Sequence, residues 1–192
     1  MRKVISAMQI SVDGFIEDCD GKMDWVDNWE DEYGFLDQVD TCVLGSVMYP
    51  DYEEYWTAAL DPKRKLPFGG KLPTANEVEY AIWASHTPHI VVSRHPLKVV
   101  WKNSRVISDL EDIRKLRQER GKDIHVVGGA MLVSSMINLG LVDEIRLMIN
   151  PILLGGGKAL FKGVTKRHYL EFLSAEQRSS GKVYVMYRVR HT

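Results

Sequence analysis

The chain has 192 residues, of which 45% are hydrophobic and 27% charged, with a formal net charge of −1. That length suits one globular domain, residues 1–192, able to bury roughly 70% of its unfolded surface. The apolar fraction excludes intrinsic disorder, and no apolar run approaches the ~18 residues of a spanning helix.

In chain order, residues 3 to 10 are rich in Val, Ile and Met and read as a central strand, closed by a turn at Ser11-Val12-Asp13-Gly14. Gln9, Ser11 and Asp13 break this stretch too early for a signal-peptide core. Between Asp24 and Val39, aromatic and aliphatic residues recur every three or four positions among acids, which predicts an amphipathic helix. Thr41 to Leu44 reads as a short buried strand ended by Gly45, and residues 46 to 56 as a short helix interrupted at Pro50. Leu60 to Thr74, with three prolines and Gly69-Gly70 among basic residues, has the composition of a loop or lid.

A helix follows around Glu77 to Ala84, then strands at His89 to Ser93 and Asn103 to Ile107. Ser108-Asp109-Leu110-Glu111 matches a capping box, predicting a helix from there to about Arg120. Ile124 to Val127, Gly128-Gly129 and Ala130 to Leu139 form the strongest strand-turn-helix unit, with Leu132, Val133, Met136 and Ile137 on one stripe. Asp143 to Asn150 and residues 151 to 154 read as strand with Pro151 as a bulge or edge, and Gly155 to Gly157 as a turn or close backbone approach. Val183, Val185, Tyr187 and Val189 alternate as a strand half facing water. The pattern predicts a largely parallel α/β sheet covered on both faces, with antiparallel strands appended at one edge.

Charge is divided unevenly: fifteen Asp/Glu against one Lys from Asp13 to Asp61, and eleven against twenty-two Lys/Arg from Pro62 to Thr192. The basic part lacks an aromatic-basic RNA motif or helix-turn-helix pattern, which argues against nucleic acid. Cys19 and Cys42 stand in no CxxC or Cys/His spacing, so no disulfide framework or metal site is expected, and a reducing, cytoplasmic setting fits.

Ligands of such sheets bind at the carboxyl ends of strands. There, Gly128-Gly129 would let a diphosphate approach backbone N–H groups at a helix start, although a simple tight turn fits them as well. Ser93 and Arg94 place a hydroxyl and a guanidinium at another strand end, suited either to a 2′-phosphate or to solvent. Asp27, Glu30 and Asp31 could supply a proton to a nitrogen or form a solvated helix face. Trp25, Trp29 and Tyr33 could stack a flat ring or belong to the core. Tyr49, Tyr52, Tyr55 and Trp56 could rim a pocket or a dimer contact.

The phrases SVDGFI at 11–16, VLG at 43–45, VVSR at 91–94, VVGGA at 126–130, GLVDE at 140–144 and LGGGKALF at 154–161 stand in an ordered set. In this order and spacing the chain resembles the dihydrofolate reductase-like superfamily, including the reductase domain of riboflavin biosynthesis. The resemblance implies a three-layer αβα fold with a mixed sheet, mostly parallel with an antiparallel C-terminal hairpin. It also implies NADPH as hydride donor, a reducible heterocycle or sugar imine as substrate, and a homodimer. By the same resemblance Ala7 would lie beside the nicotinamide, Gly45 and Ser46 at the cofactor phosphates, Ser93 and Arg94 at the adenosine phosphate, and Gly128, Gly129 and Ala130 at the diphosphate. Asp13, Gly14 and Trp25 would border the substrate, and one of Asp27, Glu30 and Asp31 would serve as proton donor.

Two departures stand out. Ser46 and Met48 replace the Arg and Thr of the family's GRxT phrase, and Val127 replaces the Glu that riboflavin-type reductases carry before Gly-Gly. The expected function is an NADPH-dependent oxidoreductase acting on C=N or a similar bond of a small pterin- or pyrimidine-like or sugar-imine substrate, without membrane or nucleic-acid partners. The rival expectation is a catalytically weak nucleotide-binding or regulatory module on the same fold.

Overall fold

In the computed structural model, residues 1–26, 33–67, 70–178 and 181–190 are described. Among them the elements run β1 (Val4–Ser11), β2 (Phe15–Glu17), α1 (Phe35–Gln38), β3 (Val39–Gly45), α2 (Tyr49–Ala59), α3 (Ala75–His86), β4 (His89–Val92) and β5 (Ser104–Ile107). They continue with α4 (Glu111–Leu116), β6 (Asp123–Gly128), α5 (Ala130–Asn138), β7 (Glu144–Asn150), β8 (Lys158–Ala159), β9 (Leu170–Gln177) and β10 (Val183–Val189).

Eight strands form one sheet in the order β5-β4-β3-β6-β1-β7-β10-β9. The first six are parallel, and β10 and β9 add on antiparallel. Every residue of β1 is buried, as befits a strand covered on both faces. Alternate residues of β3 feed opposite cores. Val43 packs with Ile113 and Leu116 of α4 and Val133 and Met136 of α5, while Cys42 and Leu44 pack with Tyr52, Trp56, Tyr80 and Ala84 of α2 and α3. Helices therefore cover both faces, giving the three layers, and each buried aliphatic side chain contributes about 1.5–3 kcal/mol. No helix among the described residues is long and apolar enough to cross a membrane.

Local chemistry explains where the elements depart from expectation. Pro50 falls in the first turn of α2, where its missing N–H has no intrahelical acceptor to lose, so it starts the helix rather than interrupting it. The Ser108 capping box does not form: α4 begins behind Leu110, the Glu111 N–H is taken by Asp109 Oδ1 at 2.9 Å, and the helix ends at Leu116. The helix expected across Asp24 to Val39 is the short α1 in its described part, and residues 27–32 lie outside the described residues. β7 stops at Asn150, so residues 151–154 do not extend it. β10 lies between β7 and β9 with Tyr184, Val185 and Val189 buried but Val183 and Arg188 exposed, so it is interior to the sheet and still partly open to water. The 155–157 loop packs tightly against the chain after β2: a Cβ at Gly156 would sit 2.9 Å from Cys19 Sγ, and one at Gly157 would collide with the Glu17 carbonyl.

Candidate active site

β1 and β6 pair only from Val4 to Ser6 against Ile124 to Val126. Beyond that point β1 goes on pairing with β7 as far as Ser11, while β6 runs to Gly128. The two central strands therefore part at the carboxyl end of the sheet, with Ala7 and Met8 on one side and Val127 and Gly128 on the other, all four buried. The β3–β6 register slips here as well, so that Leu44 faces Gly128. Such irregularities re-aim backbone beside binding sites.

Gly129, at φ +92, precedes α5, whose first turn has no side-chain cap, so its leading amides retain their partial positive charge. A Cβ at Gly129 would touch only Leu132 Cβ, at 3.9 Å. Gly128 differs: a Cβ there would collide with Met8 Cε and lie 3.1 Å from Met48 Sδ. The tip of β6 is filled by the chain's own thioethers.

Beyond β3, the Ser46 N–H donates to the Val92 carbonyl at 3.1 Å and the Met48 N–H to the Gly45 carbonyl at 3.1 Å, locking this turn to the end of β4. Ser93 Oγ donates to the His95 carbonyl at 2.7 Å and accepts from its N–H at 3.2 Å, so the hydroxyl shapes the turn after β4. Arg94 beside it is exposed and takes no partner among the described residues.

At the end of β1, Asp13 Oδ1 accepts from Ser11 Oγ at 2.6 Å and from the Leu154 N–H at 3.2 Å, and its Oδ2 accepts from the Gly155 N–H at 2.8 Å. The Ser11 hydrogen bond above all, with those from Gly155 and Leu154, holds this carboxyl below its usual range. Gly14, at φ +86, accepts from the Leu160 N–H at 3.1 Å, so both residues tie β1 to the 154–160 segment. Trp25 is half-buried, and its indole N–H has no acceptor among the described residues. Asp27, Glu30, Asp31 and Trp29 lie outside the described residues. Tyr33 stacks on Phe35 at 5.5 Å, and Tyr52, Tyr55 and Trp56 belong to the α2–α3 core together with Tyr49.

A buried polar group beside Ala7 escaped the sequence reading. Arg146 is the register partner of Ala7. Its guanidinium donates to Glu144 Oε2 and Gln38 Oε1, both at 2.9 Å, and to the Tyr33 carbonyl at 3.4 Å, and it lies 5.3 Å from the centre of the Phe35 ring. Lys3 Nζ donates to Glu144 Oε1 at 2.7 Å. Burial pushes the Glu144 carboxyl up, but the hydrogen bonds and charges of Lys3 and Arg146 together outweigh it and leave it lowered. His125, with its ring centre 4.2 Å from that of Phe35, is pushed down to about 3 by burial, against a weaker upward pull from the Ala7 carbonyl. The period-two charges of Glu144-Ile145-Arg146 were the available signal that these two acid and base side chains share a sheet face.

The eight-stranded mixed sheet, helices on both faces and parting of the central strands define a dihydrofolate reductase-like fold. Dihydrofolate reductase from Enterococcus faecalis, solved with NADP(H), aligns at a TM-score of 0.58 and 13% identity over 98% of this chain and 97% of that one. A proposed riboflavin biosynthesis protein from Shewanella sp. PV-4 aligns at a TM-score of 0.71 and 19% identity, covering 98% of this chain and 99% of that one. The chain belongs to the RibD C-terminal domain family, which it matches over residues 2–184. Uncharacterized protein YyaP of Bacillus subtilis (strain 168) is 34% identical over 191 residues, 97% of this chain and 94% of that protein.

Proposed function

We propose that this protein is an NADPH-dependent reductase of a small heterocyclic or sugar-imine substrate, acting in the cytoplasm as a homodimer. The observation that carries the reading is the parting of β1 from β6 beside the uncapped start of α5, in a chain of the RibD C-terminal domain family. The residues present suit the nucleotide in part. Gly129, without a side chain at the start of α5, would receive the diphosphate, and exposed Arg94 is paired with no acid among the described residues. Gly45 and Ser46 would stand at the cofactor phosphates and Ser93 beside Arg94.

When bound, the nucleotide would supply one hydride, carrying the two electrons, to the carbon of a C=N bond, the nitrogen taking a proton from the chain or solvent. The chain's part is positioning in a site closed to water. One acid among Asp27, Glu30 and Asp31 would hold the substrate's N–H edge and relay that proton, with Asp13, Gly14 and Trp25 at the substrate border. The dimer reading draws support from Leu170, Phe172 and Val183, apolar residues left exposed on the two antiparallel strands. Titration of the protein with NADPH and NADH, followed by fluorescence, tests the cofactor. Arg94→Ala should weaken NADPH about tenfold and NADH little; equal losses, or no binding of either nucleotide, would remove the reading.

A second reading, a nucleotide-binding module without turnover, is favoured by one observation: Ser46 and Met48 offer no guanidinium to a phosphate, and Met48 reaches over Gly128. NADPH binding without oxidation across a panel of cyclic imines and pyrimidines would select it.

A further inference from the structure

The geometry points to Met8 and Met48 as a thioether pair that the nucleotide must displace from the tip of β6, with Met48 setting the affinity; this rests on the cofactor reading above. The two side chains arrive from opposite layers. Met8 packs with the α4–α5 core and Met48 against the α2–α3 core, and they meet over Gly128 between the two layers. β6 lies between β1 and β3 and ends at Gly128, so a ligand seated across the sheet's carboxyl end at Gly129 meets this point.

The obstruction is local. One residue further on, a Cβ at Gly129 would meet only Leu132 Cβ, at an ordinary contact distance of 3.9 Å. Methionine is suited to a movable plug, because an unbranched side chain with three rotatable bonds can leave one gap and fill another. Val47, next to Met48, is strongly exposed, so the turn that carries Met48 is open to solvent. Displacement costs the packing that Met48 makes in the free protein, and that cost is subtracted from nucleotide affinity. Met48 therefore does more than omit a hydroxyl.

Methyl-13C methionine NMR and NADPH titrations of the full chain test this. In the free protein the Met8 methyl should show a cross-peak to the Gly128 α-protons. At saturating NADPH the Met8 and Met48 signals should shift and that cross-peak vanish, while Met1 and Met186 stay unchanged. Met48→Ala and Met48→Thr should tighten NADPH about tenfold, equivalent to ~1.4 kcal/mol, and Met48→Leu, which keeps the bulk, should not. Saturation with unmoved Met8 and Met48 signals, or unchanged or weaker binding by both Met48→Ala and Met48→Thr, overturns the plug and leaves the cofactor reading standing. Absence of NADPH binding by wild type and all variants overturns both.

Discussion

Arg146 is 4% exposed, and its guanidinium is held by a carboxylate, an amide oxygen, a backbone carbonyl and an aromatic face. Arg146→Met would remove the charge and leave Glu144, itself 3% exposed, with partly exposed Lys3 as its one counter-charge among the described residues. A lone buried charge is far costlier than a buried pair, so the variant should lose about 3 kcal/mol, read as a lower urea midpoint, and Arg146→Met combined with Glu144→Leu should recover most of it. If the double variant is no more stable than the single one, the loss comes from packing rather than charge. At this scale the sequence showed which residue types were available but not how they were committed. Ser93 and Asp13 could be picked out by their place after strands, yet their polar atoms turn out to be taken by neighbouring backbone. The contact of Gly128 with Met8 joins residues 120 apart, and no local pattern encodes it.

Among the elements, α3 depends on its first turn. Thr74 Oγ1 accepts from the Glu77 N–H at 3.0 Å while Glu77 Oε2 accepts from the Thr74 N–H at 2.8 Å, a reciprocal cap. Glu77 also receives the Tyr55 hydroxyl at 2.7 Å and pairs with Lys71 at 3.3 Å, tying the basic loop and α2 to the same point. Thr74→Ala should therefore cost about 1 kcal/mol, while Thr74→Ser retains most of the stability; thermal unfolding of the pair against wild type measures it. The same four-residue pattern at Ser108 fails because β5 extends to Ile107, whose carbonyl accepts from the Ser93 N–H, and the chain needs the next residues to turn away from the sheet. Periodicity and punctuation were legible because they act over a few residues. The parting of β1 from β6 was not, since it depends on which neighbour each strand follows beyond Ser6 and Val126.

Over the whole molecule, two buried histidines govern the response to acid. Burial lowers His89 to about 4, against a weaker upward pull from the Thr87 backbone, and lowers His125 to about 3. In the unfolded chain both return to about 6.5, so below that pH the unfolded state binds more protons and stability falls as pH falls. Each histidine should contribute a slope of about 1.4 kcal/mol per pH unit between roughly pH 6 and pH 4. Glu77 and Glu144, both lowered in the fold, act in the same direction below about pH 4.5. Their stabilisation is complete above that range, so they cannot mimic the histidines near pH 5.5. Urea unfolding at pH 7.5, 6.0, 5.0 and 4.5 should show a plateau followed by a steepening decline. His125→Phe, whose ring can still pack on Phe35, should halve the decline between pH 6 and pH 5, and a slope unchanged by that substitution would mean that His125 is not held neutral by the fold.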